Sequence, residues 1–312
     1  VPDTIHTPVL LEAFVDALCQ DTDGRYIDAT FGRGGHSRAI LGRLSRTGRL
    51  IGLDRDPEAV HAGRQLEKKD ARFRMEHTTF AELDAVLDRH GWETVAGVGF
   101  DLGTSSPQFD DPSRGLSFQH NGPLDMRMNP QSGKPLSIRL AQVSERELET
   151  IIRQYGGERF AGRIARAILR ALHTGTLATT RDLENICFHA VPRQARHGHI
   201  HPATRTFQAL RIWINDEMAQ LRAGLAAAMR RLAPRGRLVV IAFHSGEDRL
   251  VRDMIEAQVH PCICPPDFPV CTCGRTPTMR WISKKPIRPT TDETRANPRS
   301  RSARLRVAER LA

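Results

Sequence analysis

Short apolar runs, each closed by a glycine or an acid, recur through the first third of the chain, and the segments between them carry apolar positions at helical spacing. The runs are Arg25 to Thr30, Arg49 to Leu53, Phe73 to His77 and Val95 to Phe100, and they predict buried strands. Val9, Leu10, Phe14, Val15 and Leu18 predict a first helix, opened by His6-Thr7-Pro8 and packed on the sheet. Ala39, Ile40, Leu41 and Leu44 predict a second, and further helices are expected over Pro57 to Lys68 and Ala81 to His90. Strand and helix in strict alternation imply a parallel α/β sheet.

That alternation stops after Phe100, and the next buried run is Arg237 to Phe243. Between them, Gly103 to Pro135 is rich in Gly, Pro and Ser, and helical patterns follow. Ser144 with Glu147 reads as a capping box, continued by Leu148, Ile151 and Ile152. Gly162 to Leu172 is helical and basic on one face (Arg159, Arg163, Arg166, Arg170), and Thr180 to Ala190 is a third helix. This is too much chain for a loop. The expected architecture is an α/β sheet, 1–109 with 207–312, interrupted by an inserted helical domain at 110–206. Phe207 to Leu232 reads as one long amphipathic helix, and Pro234-Arg235-Gly236 as the turn into the next strand. His244 to Arg249 should cap another helix, Thr278 to Lys284 and Ser302 to Ala308 should be the last strands, and the basic Arg295 to Arg301 should be exposed.

The chemistry begins where the first strand ends. Asp28 is followed by a glycine turn, Gly32-Arg33-Gly34-Gly35-His36-Ser37, and then by a helix. Glycines let backbone N–H groups approach a ligand closely. A second acid, Asp54, closes the next strand about twenty residues on, where a carboxylate can accept from ribose hydroxyls. A dinucleotide fingerprint wants a third glycine where Ser37 stands. The spacing Asp-x-x-x-Gly-x-Gly instead resembles the first motif of S-adenosylmethionine (SAM) methyltransferases. Phe80, after the third strand, either flanks an adenine or packs in the core.

Composition narrows the partner. The net charge is +10 and Arg is abundant, which favours a polyanion, since guanidinium pairs bidentately with phosphate. No apolar run is long enough to span a bilayer and no signal peptide is expected, so a cytoplasmic protein without a membrane partner is the reading. Six cysteines in a chain of this length do not make a disulfide scaffold. Cys262-x-Cys264 and Cys271-x-Cys273 could ligate zinc, but structural pairs favour C-x-x-C. A reduced thiol-rich loop is therefore expected, and no metal.

From Asp101 the motifs become specific. Asp101-Leu102-Gly103-Thr104-Ser105-Ser106-Pro107-Gln108-Phe109-Asp110 is followed by Arg114-Gly115-Leu116-Ser117-Phe118 and Gly122-Pro123-Leu124-Asp125-Met126-Arg127-Met128. Later come Tyr155-Gly156-Gly157-Glu158-Arg159-Phe160, His201 to Arg211, Phe243-His244-Ser245 and Asn297-Pro298-Arg299-Ser300-Arg301. Together these resemble the bacterial small-subunit ribosomal RNA cytosine-N4 methyltransferases, the RsmH/MraW family, over nearly the whole chain. The resemblance implies a Rossmann-like SAM-dependent methyltransferase sheet with an inserted helical recognition domain. It implies methylation of the exocyclic amine of cytidine 1402 of 16S ribosomal RNA, on naked rRNA or on the small subunit, by a monomer or a homodimer. It places cofactor contacts on Gly34, Gly35, His36, Asp54, Phe80, Asp101 and Gln108. Gly157 and Gly246 depart from the family's usual Glu and Leu.

The Asp/Asn-Pro-Pro-aromatic loop that many amino methyltransferases carry after the fourth strand is missing. Asp101 to Pro107 occupies its place, so Asp101 and Ser105 are the candidate catalytic acceptors for the target amine, directly or through water, although the family position also lets Asp101 bind only the methionine amino group of the cofactor, and Ser105 and Ser106 could instead only form the turn before Pro107. A nicotinamide oxidoreductase is disfavoured by Ser37 and by the basic charge. A non-catalytic RNA-binding factor is disfavoured by the intact pocket motifs.

Overall fold

A computed structural model describes residues 8–198, 200–265, 270 and 272–312. His6 and Thr7, which the pattern placed at the opening of the first helix, lie outside the described residues, as do Pro266 to Pro269 and Cys271 of the cysteine segment. The chain folds into two compact units, Val1–Gly103 with Ala219–Ala312, and Thr104–Met218.

The first unit holds a seven-stranded sheet. Its strands are β1 (Arg25–Asp28), β2 (Arg49–Asp54), β3 (Phe73–His77), β4 (Val95–Asp101), β5 (Leu232–Ala242), β6 (Met279–Trp281) and β7 (Arg304–Arg310). The spatial order is β3-β2-β1-β4-β5-β7-β6. The first five are mutually parallel, with β1 between β2 and β4, while β7 runs antiparallel to both neighbours. Burial on both faces explains the unbroken apolar runs: Tyr26, Ile27, Leu50, Ile51, Leu53, Val98 and Phe100 are fully enclosed.

Four helices follow the expected pattern: α1 (Leu11–Leu18), α2 (Gly35–Arg43), α3 (Pro57–Lys69) and α4 (Leu83–Arg89). Helix α1 buries Phe14, Val15 and Leu18 against the sheet, α2 and the β4–β5 region. The second unit contains α5 (Ser106–Asp110), α6 (Leu136–Leu140), α7 (Glu145–Gly156), α8 (Ala161–His173), α9 (Thr180–Ala190) and α10 (Pro202–Asn215). Its own core joins Leu148, Ile152, Ile164, Ile168, Leu183, Phe207 and Leu210. The capping box is present, with Ser144 N donating to Glu147 Oε2 at 3.0 Å.

Three expectations change. The long helix is two, α10 and α11 (Glu217–Arg231), parted at Asp216, whose φ is +51°. Helix α10 packs on α7 and α9 and so belongs to the second unit, whose limits fall after Gly103 and Met218 rather than at 109 and 206. Pro234-Arg235-Gly236 does not precede β5 but bulges within it, where Val95 faces Leu232 and Gly97 already faces Arg237. The chain closes with α12 (Ser245–Val259) and α13 (Thr291–Ala296); in the basic tail Ser300 is buried while Arg295, Arg299 and Arg301 are exposed.

Candidate cofactor and active site

Open α/β sheets bind ligands at the carboxyl ends of their strands, where the strand order reverses. Here that point lies between β1 and β4, and each strand ends there in an acid, Asp28 and Asp101. Asp54 closes β2 beside them.

The glycine turn is stitched to these strand ends. Phe31 N donates to Leu53 O at 2.9 Å and Gly32 N to Asp54 Oδ2 at 2.8 Å. Asp101 N donates to Thr30 Oγ1 at 2.6 Å. Gly34 is the N-cap of α2 with φ +72°, and a Cβ there would meet the Phe31 ring at 2.5 Å. Gly35 is glycine for another reason: its Cβ would strike Pro8 at 2.2 Å. Where a dinucleotide site keeps its third glycine, Ser37 Oγ donates to Asp28 Oδ2 at 2.6 Å. Asp28 is thereby a buried structural anchor, its pKa raised to about 6 by burial against the opposing pull of those hydrogen bonds.

Asp54 accepts from Gly32 N on one oxygen and from Asp56 N, at 2.9 Å, on the other. An ionised carboxylate has lone pairs to spare beyond those two bonds, which suits a ribose diol. Burial raises its pKa to about 6, offset by these backbone donors. Phe80 starts a short 3₁₀ turn, half-buried, edge-on to Phe100 at 5.7 Å between centroids.

His36 and Asp101 form a pair that sequence alone did not define. The His36 ring packs on Phe14 at 4.3 Å, and its Nε2 lies 3.2 Å from Val9 O. A carbonyl only accepts, so Nε2 carries the proton and Nδ1 turns its lone pair toward Asp101 Oδ2, 3.6 Å away. Burial lowers the His36 pKa to about 4, which keeps the ring neutral. Asp101 is pushed up to about 8, first by burial and then by the Asp28 and Glu247 carboxylates. Its Oδ1 is buried with no hydrogen-bond partner among the described residues. An orphaned acceptor among mutually repelling acids fits a cationic ligand that can donate to it, and fits a pyrophosphate badly.

Past the end of β5, His244 is the N-cap of α12 and Glu247 lies in its first turn. Glu247 accepts from Phe243 N at 2.9 Å, and His244 Nδ1 caps α12 by accepting from Gly246 N and Glu247 N. The signal for them was the Phe243-His244-Ser245 motif at a strand end; Thr30 left no signal beyond its place in the turn. Ser105 and Gln108 belong to the second unit, as N-cap and third residue of α5, where Gln108 Oε1 accepts from Ser105 N at 3.0 Å.

An antiparallel β7 between β5 and β6 sets this sheet apart from the dinucleotide order, in which the sixth strand lies directly beside the fifth. With the acids just described, it defines an enzyme of the Rossmann-like, SAM-dependent methyltransferase class. The chain belongs to the MraW methylase family, whose pattern matches residues 3–311. A protein of Nitrosococcus oceani named ribosomal RNA small subunit methyltransferase H is 47% identical over 306 residues, covering 98% of this chain and 96% of that protein. Proteins of the same name from Thermomicrobium roseum (47%, covering 99% and 94%) and Methylibium petroleiphilum (48%, covering 98% and 95%) align as completely. An rRNA methylase structure from Streptococcus thermophilus superposes with a TM-score of 0.41 at 10% identity, covering 96% of this chain and 93% of that one.

Proposed function

We propose that this enzyme methylates the exocyclic N4 amine of a cytidine in 16S ribosomal RNA of the small subunit. The reading is carried by end-to-end identity, through both units, with proteins named for small-subunit rRNA methylation. In this reading Asp54 holds the ribose, Gly34 and the turn before it leave room for the nucleoside, and Phe80 flanks the adenine. Gln108 and His36 complete the cofactor's surroundings. When bound, SAM supplies the electrophilic methyl carbon.

The amine of cytosine is a weak nucleophile, because its lone pair is delocalised into the ring. What the protein must add is alignment of that lone pair and acceptors for the amine hydrogens as charge develops on nitrogen. Asp101 and Ser105, on the loop that leaves β4, take that role. Neutral His36, held in one tautomer by Val9 O, packs beside Asp101 and puts no positive charge next to it. The second unit supplies RNA recognition: Arg163, Arg166 and Arg170 line the exposed face of α8. Arg166 also pairs with Glu145 at 3.2 Å. The target base must be single-stranded or extruded to reach the pocket.

The test is to incubate the protein and labelled SAM with naked 16S rRNA and with assembled small subunits, and to map the modified base. Label on one cytidine N4 is expected. No transfer to either substrate by protein that still binds SAM would overturn the reading in favour of a non-catalytic RNA-binding factor. In single turnover at saturating SAM, Asp101→Asn and Ser105→Ala should each slow transfer more than threefold. Rates within threefold for both would remove these residues from the chemical step.

A further inference from the structure

Cys262, Cys264 and Cys273 lie between α12 and β6 and take no part in the cofactor site. Their Sγ atoms all fall within 4.8 Å of one another, and those of Cys262 and Cys273 are 3.9 Å apart. That distance is far beyond a disulfide bond of about 2.05 Å. It matches two thiolates sharing a tetrahedral zinc, since ligands about 2.3 Å from the metal stand roughly 3.8 Å from each other.

Among the described residues of this segment the large apolar side chains point outward, Ile263 being 65% and Val270 69% exposed, and do not close over the thiols. Short segments without a core are commonly held by a metal or a disulfide. Gly274, directly after Cys273, has φ +65°, a turn that a side chain would strain.

We propose that Cys262, Cys264 and Cys273 bind a structural zinc ion that fixes the segment leading into β6. The tight C-x-C spacing argues against zinc only while the thiols are considered pairwise along the chain. Folding brings one thiol from the second pair onto both thiols of the first. Thiolate donors select zinc over the hard cations. Binding replaces three S–H bonds with three Zn–S bonds, releases three protons to solvent and changes no oxidation state. The sequence offers a fourth thiol at Cys271, outside the described residues, and the proposal rests on the other three.

The experiment is metal analysis of the full chain purified without chelator, with X-ray absorption at the zinc edge. About one zinc per chain is expected, with at least three sulfur neighbours near 2.3 Å. Cys262→Ser and Cys273→Ser should each retain less than a tenth of that zinc, and Cys19→Ser all of it. Protein that carries no zinc after incubation with equimolar Zn²⁺ and desalting overturns the proposal. So does iron in place of zinc, or a Cys262→Ser variant that keeps its metal. If the serine variants fail to fold, alkylation of the unaltered protein decides: Cys262, Cys264 and Cys273 should react with iodoacetamide only after chelation. Equal labelling with and without chelator overturns the site. None of these readouts depends on methyl transfer, so the zinc assignment and the methyltransferase reading stand or fall separately.

Discussion

Asp101 has the most perturbed carboxyl of the cofactor site, and the sign of its pH dependence follows from linkage. Its folded pKa of about 8 lies above its unfolded value, so the folded chain keeps a proton that the unfolded chain has lost. The stability this contributes is fully present below about pH 4 and is lost as pH rises through about 8. Asp28 and Asp54, both raised to about 6, act in the same direction over a lower window. Neutral His36, lowered to about 4, acts oppositely, contributing stability above its ordinary pKa that is lost as pH falls through 4. The apoprotein's Tm should therefore fall between about pH 4 and 8, and above pH 6 fall less steeply in Asp101→Asn. Binding of cationic SAM favours the ionised carboxylate, so its affinity should climb toward pH 8 in the parent protein and stay flat in that variant. Calorimetry at three or four pH values checks this; parallel curves for the two proteins would refute the assignment of Asp101 as the cation's partner.

Among the elements, the break between α10 and α11 shows how a side chain can end a helix whose pattern would run on. Buried Asn215 donates from Nδ2 to Met126 O at 2.7 Å and to Arg211 O at 2.9 Å, while its Oδ1 accepts from Met128 N at 2.7 Å. Arg211 reaches past the break to pair bidentately with Glu217 at 2.8 and 2.9 Å. Asp216 is left exposed in the left-handed region. Glycine takes that conformation without a Cβ clash, whereas a β-branched residue does not. Asp216→Gly should leave stability level or raise it by up to about 1 kcal/mol, and Asp216→Val should lower it by about 1–2 kcal/mol, measured by urea unfolding. If valine costs nothing, the backbone there is not held left-handed.

For the molecule as a whole, the charge of +10 is distributed with some order. In the second unit the α8 arginines share one exposed face. In the first, parallel register sets Arg25 opposite Arg49, and Leu50 N donates to Arg72 O just before β3. These arginines, with Arg74, His90 and Trp92, line a cavity of about 240 Å³. Arg72 is tied to Asp70 at 2.6 Å, and Arg25 lies over the Trp92 ring at 5.4 Å. Phosphate contacts release counterions, so rRNA affinity should fall steeply with salt. Reversing Arg163 and Arg170 to Glu together should weaken RNA binding and flatten the slope of log affinity against log salt by about two, leaving SAM affinity unchanged. Filter binding from low to high salt measures it, and an unchanged slope would make α8 only a solvated face.

The sheet, its glycine turn and the acids Asp28 and Asp54 were legible in the chain because they are local: a strand, a turn and a cap are each specified within a few residues. The family motifs extended that legibility to Asp101. No helix among the described residues is long and apolar enough to cross a membrane, in keeping with the absence of a long apolar run. Contacts between distant segments were not legible. Val9 sets the tautomer of His36, Thr30 receives the N–H of Asp101, and Asn215 closes on Met126 and Met128 to stop a helix. The same holds for Cys262 and Cys273, whose spacing along the chain argued against a metal that their convergence in space supports. Periodicity and spacing record how a residue relates to its neighbours along the backbone; which lone pair meets which donor depends on loop closure and packing between segments far apart in sequence, and only the folded chain settles that.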